Sequence, residues 1–261
     1  MMRLSNPKEY NIFSYVKKQE LAKNDNIQIH ESETCGKILV RDGEAQYCEK
    51  DKKIYSEMLA HVALSNHPNT KEILCIGYNP FALHELKQYT DIQNITIVET
   101  NQDNIDLINK HWGTSTDASA TVLIKDDFIF EQKDFFDIIL MDKMSTDALD
   151  FYHLQRALKS DGLLVCKTAS YYTDIEAHKQ IAKALDEYFK IIMPYSCASL
   201  VQPVALNTFF FCSNKFHPTA DIVLQKADLL DDLVYYNSDI HKASFILPTS
   251  IDKELFTIIK K

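Results

Sequence analysis

Glycine is scarce: the 261-residue chain has five, and none of them forms a closely spaced set. The loop Gly77-Tyr78-Asn79-Pro80-Phe81-Ala82 carries one glycine where a tight phosphate-cradling turn needs two or three, so a pyrophosphate site is not expected. Cysteine is sparse and scattered. Cys35, Cys48, Cys75, Cys166, Cys197 and Cys212 include no CxxC pair and no zinc spacing, and they read as reduced thiols. Long apolar runs are missing, and the start MMRLSNPKEYNIF lacks the apolar stretch and cleavage site of a secretory leader, so a cytoplasmic protein without membrane contact is expected. Clustered lysine and arginine are missing too. A formal net charge of -9 argues against nucleic-acid binding and favours a cationic partner, although most acids on such a chain only keep the surface soluble. There is no HExxH pair, no G-x-S-x-G elbow and no base partner for Cys166, which removes the usual hydrolase and metalloenzyme patterns and leaves no metal expected.

The composition that remains, 46% hydrophobic and 25% charged, is that of an ordinary globular protein large enough for a core plus a small appendage. Strand character at Ile27 to His30 and Lys37 to Val40, with turn signals at Cys35-Gly36 and Asp42-Gly43, predicts a small β domain over residues 1–50. Apolar residues at Ile54, Met58, Leu59, Val62 and Ala63 then predict a helix ending before His67-Pro68. From there strands and helices alternate. Strands are expected at 72–77, 94–99, 120–125, 135–142 and 163–167, helices at 82–89, 104–111, 150–158 and 176–189, and a late antiparallel strand at 208–212 near a sheet edge. This rhythm predicts an α/β chain in which residues 51–261 form a Rossmann-like, doubly wound sheet that binds ligands at the carboxyl ends of its strands.

Glu99 ends its strand 22 positions after Gly77, close to the spacing at which an acid binds ribose hydroxyls in nucleoside-binding folds. Asp126 and Asp127 follow the next strand and Asp142 the one after, so four acids point to one sheet edge; helix capping and solvation are the competing reading. Tyr195, Tyr235 and Tyr236 could face a substrate or simply pack.

Three stretches resemble the spermidine synthases, the polyamine aminopropyltransferase family. GKILVRDGEAQYCEKDKKIYSEMLAHVALSNHPNTKEILCIG, from Gly36 to Gly77, is similar to the family's G-x-x-L-x-x-D-G-x-x-Q, Y-x-E-M-L-x-H and H-P-N-P-K-x-V-L-x-I-G segments. VETN at Val98 to Asn101 matches V-E-I-D, and YYNSDIHKASFILP at Tyr235 to Pro248 is the most specific of the three. The resemblance implies transfer of the aminopropyl group of decarboxylated S-adenosylmethionine to putrescine or a similar diamine, with methylthioadenosine released, no resident cofactor, and a homodimer. It implies further that Gln46 and Tyr55 lie beside the aminopropyl chain and the amine, that Gly77 and Asn79 belong to the nucleoside loop, and that Glu99 holds the ribose. Asp126 would contact adenine with Asp127 next to it, and Asp142 would be the general base.

The chain departs from the pattern mainly on the amine side. The family's G-G-G-D-G-G is GYNPFA, without the acid that grips the aminopropyl ammonium; D-S-x-D-P is Asp142-Lys143-Met144-Ser145; Y-P-S-G falls at Gln202-Pro203; and Ser56 follows the YxEM tyrosine. These changes leave open a non-catalytic member that binds a nucleoside or polyamine, and a methyltransferase using S-adenosylmethionine itself.

Overall fold

The computed structural model describes residues 19–115, 119–125, 128–202 and 204–259. Four short strands come first: β1 (Gln19–Lys23), β2 (Ile27–Ser32), β3 (Gly36–Arg41) and β4 (Glu44–Cys48), paired antiparallel in that order. Asp42 (φ 50°) and Gly43 (φ 83°) turn β3 into β4, the two left-handed residues that a tight hairpin requires. Helix α1 (Lys52–Leu64) follows, and from Tyr55 to Leu64 every residue is buried, as befits a helix sandwiched between two layers rather than lying on a surface.

The main sheet contains β5 (Glu72–Ile76), β6 (Asn94–Glu99), β7 (Ala120–Ile124), β8 (Phe136–Met141), β9 (Leu158–Thr168), β10 (Ile191–Ala198) and β11 (Leu206–Ser213). Its order is β10-β11-β9-β8-β5-β6-β7, parallel from β9 to β7 and antiparallel at β11 and β10. Between the strands lie α2 (Pro80–Leu86), α3 (Gln102–Trp112), α4 (Ala148–Ala157) and α5 (Ile175–Asp186), with α6 (Leu224–Asp228), α7 (Ser238–Ser244) and α8 (Thr249–Leu255) near the C-terminus. Chain order runs outward from β5 to β7 on one side and from β8 to β9 on the other. The crevice between β5 and β8 is therefore the switch point at which such sheets bind ligands.

Two cores cover the sheet. One joins α1, α2 and α3 with β2, β3 and β4 (Ile29, Leu39, Tyr47, Met58, Leu83, Ile105), while the other packs α4, α5 and α8 on the opposite face (Phe151, Leu154, Ile181, Leu185, Leu255). Strand residues alternate between them: Leu163 and Val165 belong to the first, Leu164 and Cys166 to the second. All six cysteines are unpaired and buried, and among the described residues no helix is long and apolar enough to cross a membrane.

Two expectations need correction. The late strand is longer than 208–212 and lies second from the edge, because β10 pairs outside it from Ile191↔Ser213 to Ala198↔Leu206. Pro194 masks β10 in the sequence, yet proline is tolerated on an edge strand, where one side makes no hydrogen bonds. The helix expected at 150–158 spans Ala148–Ala157, and the chain enters β9 directly at Leu158, five residues before the strand expected at 163–167.

The C-terminal segment is fastened to α1 by one side chain. Glu57, fully buried, accepts hydrogen bonds from the backbone N–H groups of Val234 (2.8 Å), Tyr235 (2.8 Å) and Tyr236 (2.9 Å). Tyr236 also donates its hydroxyl to His241 Nδ1 at 2.8 Å, and Asn237 caps α7 through Ile240 N–H. Glu57→Ala should remove three acceptor contacts at once and destabilise the fold by about 3 kcal/mol. A urea midpoint lowered accordingly, with new protease cleavage near Tyr235, is the expected result.

Candidate active site

Three strand ends are stitched together by backbone bonds. Gly77 N–H donates to Val98 O (2.9 Å) and Asp142 N–H to Ile76 O (2.9 Å), which brings the ends of β5, β6 and β8 together. Gly77 has φ 95°, and a Cβ there would sit 3.4 Å from the Asp142 carbonyl oxygen. That contact is an ordinary one, and it is the positive φ that favours glycine here. Two residues on, Asn79 Oδ1 accepts from Phe81 and Ala82 N–H (both 3.1 Å) and caps α2, with Pro80 at its first position. The same side chain then donates from Nδ2 to Asp142 Oδ2 at 3.1 Å.

At the end of β6, Glu99 is surrounded by donors. Its Oε2 accepts from Arg41 Nη1 (2.9 Å) and Tyr78 N–H (3.0 Å); its Oε1 accepts from Thr100 N–H (2.9 Å), Thr100 Oγ1 (3.2 Å) and Asn104 Nδ2 (3.0 Å). Burial pushes the Glu99 carboxyl up, but the Arg41 charge and the hydrogen bonds outweigh it and hold the group below its ordinary value. Arg41 comes from β3, so the pair ties the small sheet to the large one.

Asp142 forms the centre of a second network. Tyr55 donates its hydroxyl to Asp142 Oδ1, and its oxygen lies 3.4 Å from Gln46 Oε1, which accepts from Lys167 Nζ at 2.6 Å. The Tyr55 ring packs between Tyr47 (5.5 Å) and Phe209 (5.3 Å), with the Lys167 ammonium 5.6 Å from its centre. Burial raises the Asp142 carboxyl, opposed by Arg41, the Tyr55 hydroxyl, Lys167 and Asn79. Burial and the Asp142 charge also keep the Tyr55 hydroxyl protonated. Asp142 is thus a dry carboxylate with more affinity for a proton than an exposed one has.

Two clefts flank this network. The first, about 890 Å³ including space open to solvent, is lined by Arg41, Gly77, Glu99, Asn104 and Lys143 over an apolar floor of Ile76, Val98 and Met141. The second, about 650 Å³ on the same measure, is lined by Glu44, Lys167, Gln202, Asn207 and Thr208 among others. Asp142 is 4% exposed and lines neither; a smaller space of about 270 Å³ touches it together with Asn79 and Gly77.

Of the residues singled out in the sequence, Gln46, Tyr55, Asn79 and Asp142 form one hydrogen-bonded set, and Gly77 and Glu99 border the first cleft. Asp126 and Asp127 lie outside the described residues. Tyr195 is a core residue that donates its hydroxyl to Met58 O at 3.0 Å, and Tyr235 and Tyr236 serve the C-terminal anchor. Sequence reasoning missed Arg41 and Lys167. Lys167 had a usable signal, since it continues the inward series Leu163, Val165 on an apolar strand. Among the described residues no group of three histidine, cysteine or acidic side chains is placed to hold a metal.

Comparisons with known proteins identify the family and the fold. The pattern of the spermine/spermidine synthase domain matches residues 52–222. The chain is 30% identical over 245 residues to a polyamine aminopropyltransferase of Clostridium beijerinckii, covering 86% of each chain. A second one, from Caldicellulosiruptor saccharolyticus, is 31% identical over 248 residues, 88% of each. Putrescine N-methyltransferase 2 of Nicotiana tabacum is 29% identical over 252 residues, 86% of this chain and 71% of that protein. Among solved structures, a spermidine synthase in complex with the transition-state analogue AdoDATO superposes with TM-score 0.84 at 26% identity, over 93% of this chain and 88% of that one. Spermidine synthase from Thermotoga maritima gives 0.83 at the same identity and coverage.

The Arg41–Glu99 pair sets a pH dependence. Because the folded Glu99 titrates below its ordinary 4.5, its contribution to stability is complete above that value and lost as the pH falls through the folded one. Arg41→Met leaves a buried, unpaired carboxylate and should cost about 3 kcal/mol at pH 7. The deficit in urea midpoint relative to wild type should shrink at pH 4, where Glu99 protonates more readily in the variant.

Proposed function

This chain belongs to the spermine/spermidine synthase family, and we propose that it moves the aminopropyl group of decarboxylated S-adenosylmethionine onto a primary amine. The observation that carries the reading is Asp142: a buried carboxylate at the end of β8, oriented by Tyr55 on one oxygen and Asn79 on the other, beside the cleft bordered by Glu99.

In this reading the nucleoside occupies the first cleft. Glu99 and Asn104 face its ribose, Ile76, Val98 and Met141 give the base an apolar floor, and Gly77 allows close backbone approach. The amine nitrogen attacks the methylene carbon bound to the sulfonium, the carbon–sulfur electron pair returns to sulfur, and methylthioadenosine leaves as a neutral thioether. The attacking amine must first lose a proton. With an alkylammonium pKa of about 10, roughly one molecule in a thousand is neutral at pH 7. Asp142, raised by burial, takes that proton, and Tyr55 fixes the direction from which it does so. Both reactants come from solution and no resident cofactor is required.

Methyl transfer is the second reading, favoured by the putrescine N-methyltransferase relative and by Asn79, which stands where the family pattern has an acid for the aminopropyl ammonium. One assay separates the two. Protein mixed with putrescine and either decarboxylated or intact S-adenosylmethionine should release methylthioadenosine from the first and no S-adenosylhomocysteine from the second. The opposite pattern makes it a methyltransferase, and neither product with putrescine or any other amine acceptor, from a protein that binds the nucleoside, makes it a non-catalytic member. Asp142→Asn should lower kcat by about 10²-fold to 10⁴-fold while calorimetric binding of methylthioadenosine stays within a few-fold. Unchanged turnover would remove Asp142 from the mechanism.

A further inference from the structure

The second cleft has a feature that a plain diamine does not explain. Lys167 lies on β9 at an inward position, 3% exposed, and among the described residues its one hydrogen bond is to Gln46 Oε1 and no carboxylate lies within ion-pair distance. Asp142, the acid whose charge acts on it most, already accepts from Tyr55 and Asn79. Lys167 is therefore a buried cation without a contacting anion, an arrangement that proteins seldom leave unanswered. Burial lowers its ammonium to about 8, so much of it is charged at neutral pH, with Asp142 and Glu44 favouring the charge and Arg41 opposing it.

A second group in the same cleft is also unanswered. Asn207 on β11 is 1% exposed, and neither its amide nitrogen nor its amide oxygen has a hydrogen-bond partner. Phe209 pairs directly with Lys167 across β11 and β9, and Asn207 is two residues from Phe209. Lys167 and Asn207 are thus diagonal neighbours on one face of the sheet, within joint reach of a small ligand. Thr208, whose hydroxyl already donates toward the carbonyls of Thr168 and Ala169, sits on the other face. Buried polar groups without partners beside a cavity mark the place where a ligand supplies them.

Resting on the transferase reading above, we infer that the acceptor is a diamino acid, an amine that also carries a carboxylate, and that Lys167 and Asn207 hold its amino-acid head group. A carboxylate accepts from Lys167 Nζ and Asn207 Nδ2, while the adjacent ammonium donates to Asn207 Oδ1. A plain diamine brings a second ammonium toward Lys167, which Glu44 at the same cleft only partly offsets, and leaves the Asn207 amide unanswered, so the pocket selects against it chiefly by missing contacts. Lys167 is a specificity residue in this account, and the proton transfer stays with Asp142.

Three matched pairs that differ by one carboxylate test this: ornithine and putrescine, lysine and cadaverine, 2,4-diaminobutyrate and 1,3-diaminopropane. With decarboxylated S-adenosylmethionine as donor, kcat/KM should favour the carboxylated member of the best pair by tenfold or more. Lys167→Gln should lose at least tenfold on that member and invert the preference. Asn207→Leu removes an amide that has no partner in the fold, so it should fold as well as wild type while raising KM for the carboxylated acceptor about tenfold. A wild-type preference for putrescine over ornithine overturns the inference, as does a Lys167→Gln loss that is equal for both acceptors, which would make Lys167 a proton-handling group. Binding decides independently of turnover. Calorimetry on protein saturated with methylthioadenosine should give ornithine the lower Kd, and an equal or lower Kd for putrescine overturns the inference even if the transferase reading itself has failed for lack of product.

Discussion

One guanidinium holds the two halves of the site in register. Arg41 reaches from the last residue of β3 to Glu99 at the end of β6 and to the Tyr78 carbonyl in the loop after β5, and Tyr78 N–H returns to the same Glu99 oxygen. This closed triangle spans 58 residues of sequence and, with the Lys167–Gln46 hydrogen bond, adds polar contacts to the apolar packing that joins the two sheets. Buried ion pairs of this kind contribute little net stability, because desolvation offsets most of the attraction; what they contribute is position. Here the position matters twice. The same cation that keeps Glu99 ionised also acts on Asp142, whose carboxyl would otherwise be driven further toward the neutral acid by its dry surroundings.

The α/β architecture was legible because its signals are local. Short apolar runs such as EILCIG and NITIVE, separated by helix-length segments, can bury themselves in few other ways, and the structure has strands at both. The edge strand Ile191–Ala198 escaped because it contains Pro194 and because an edge strand needs no strong pattern. The site was legible only in part. Glu99 followed from spacing and Asp142 from its place after a strand, whereas Gln46, Tyr55 and the role of Asp142 as base came from family resemblance, since nothing local connects a tyrosine on one helix with an aspartate 87 positions later. Arg41 and Lys167 have no motif that marks them: charged residues on strands ordinarily face solvent, and both of these are buried.

The run that carries the strongest resemblance turns out to be structural in its contacts. YYNSDIH gives backbone N–H groups to Glu57, a hydroxyl–imidazole bond between Tyr236 and His241, and a helix cap from Asn237. It packs against α1, the helix that also presents Tyr55 to Asp142. Helix α1 therefore holds Asp142 through Tyr55 and the C-terminal segment through Glu57, two residues further along the same buried stretch, so a shift of this part of the helix reaches both.

The burial of every cysteine gives the molecule an internal clock for opening. Cys35 and Cys48 belong to the small sheet and its turn, and Cys75, Cys166, Cys197 and Cys212 to strands of the large one. Thiols sealed in this way are alkylated only when their surroundings part, so the rate at which each one reacts measures how often its own region unfolds. If the small sheet lifts from the strand ends as a separate cooperative unit, Cys48 will react ahead of Cys166; if the two sheets open as one body, all six will keep the same time.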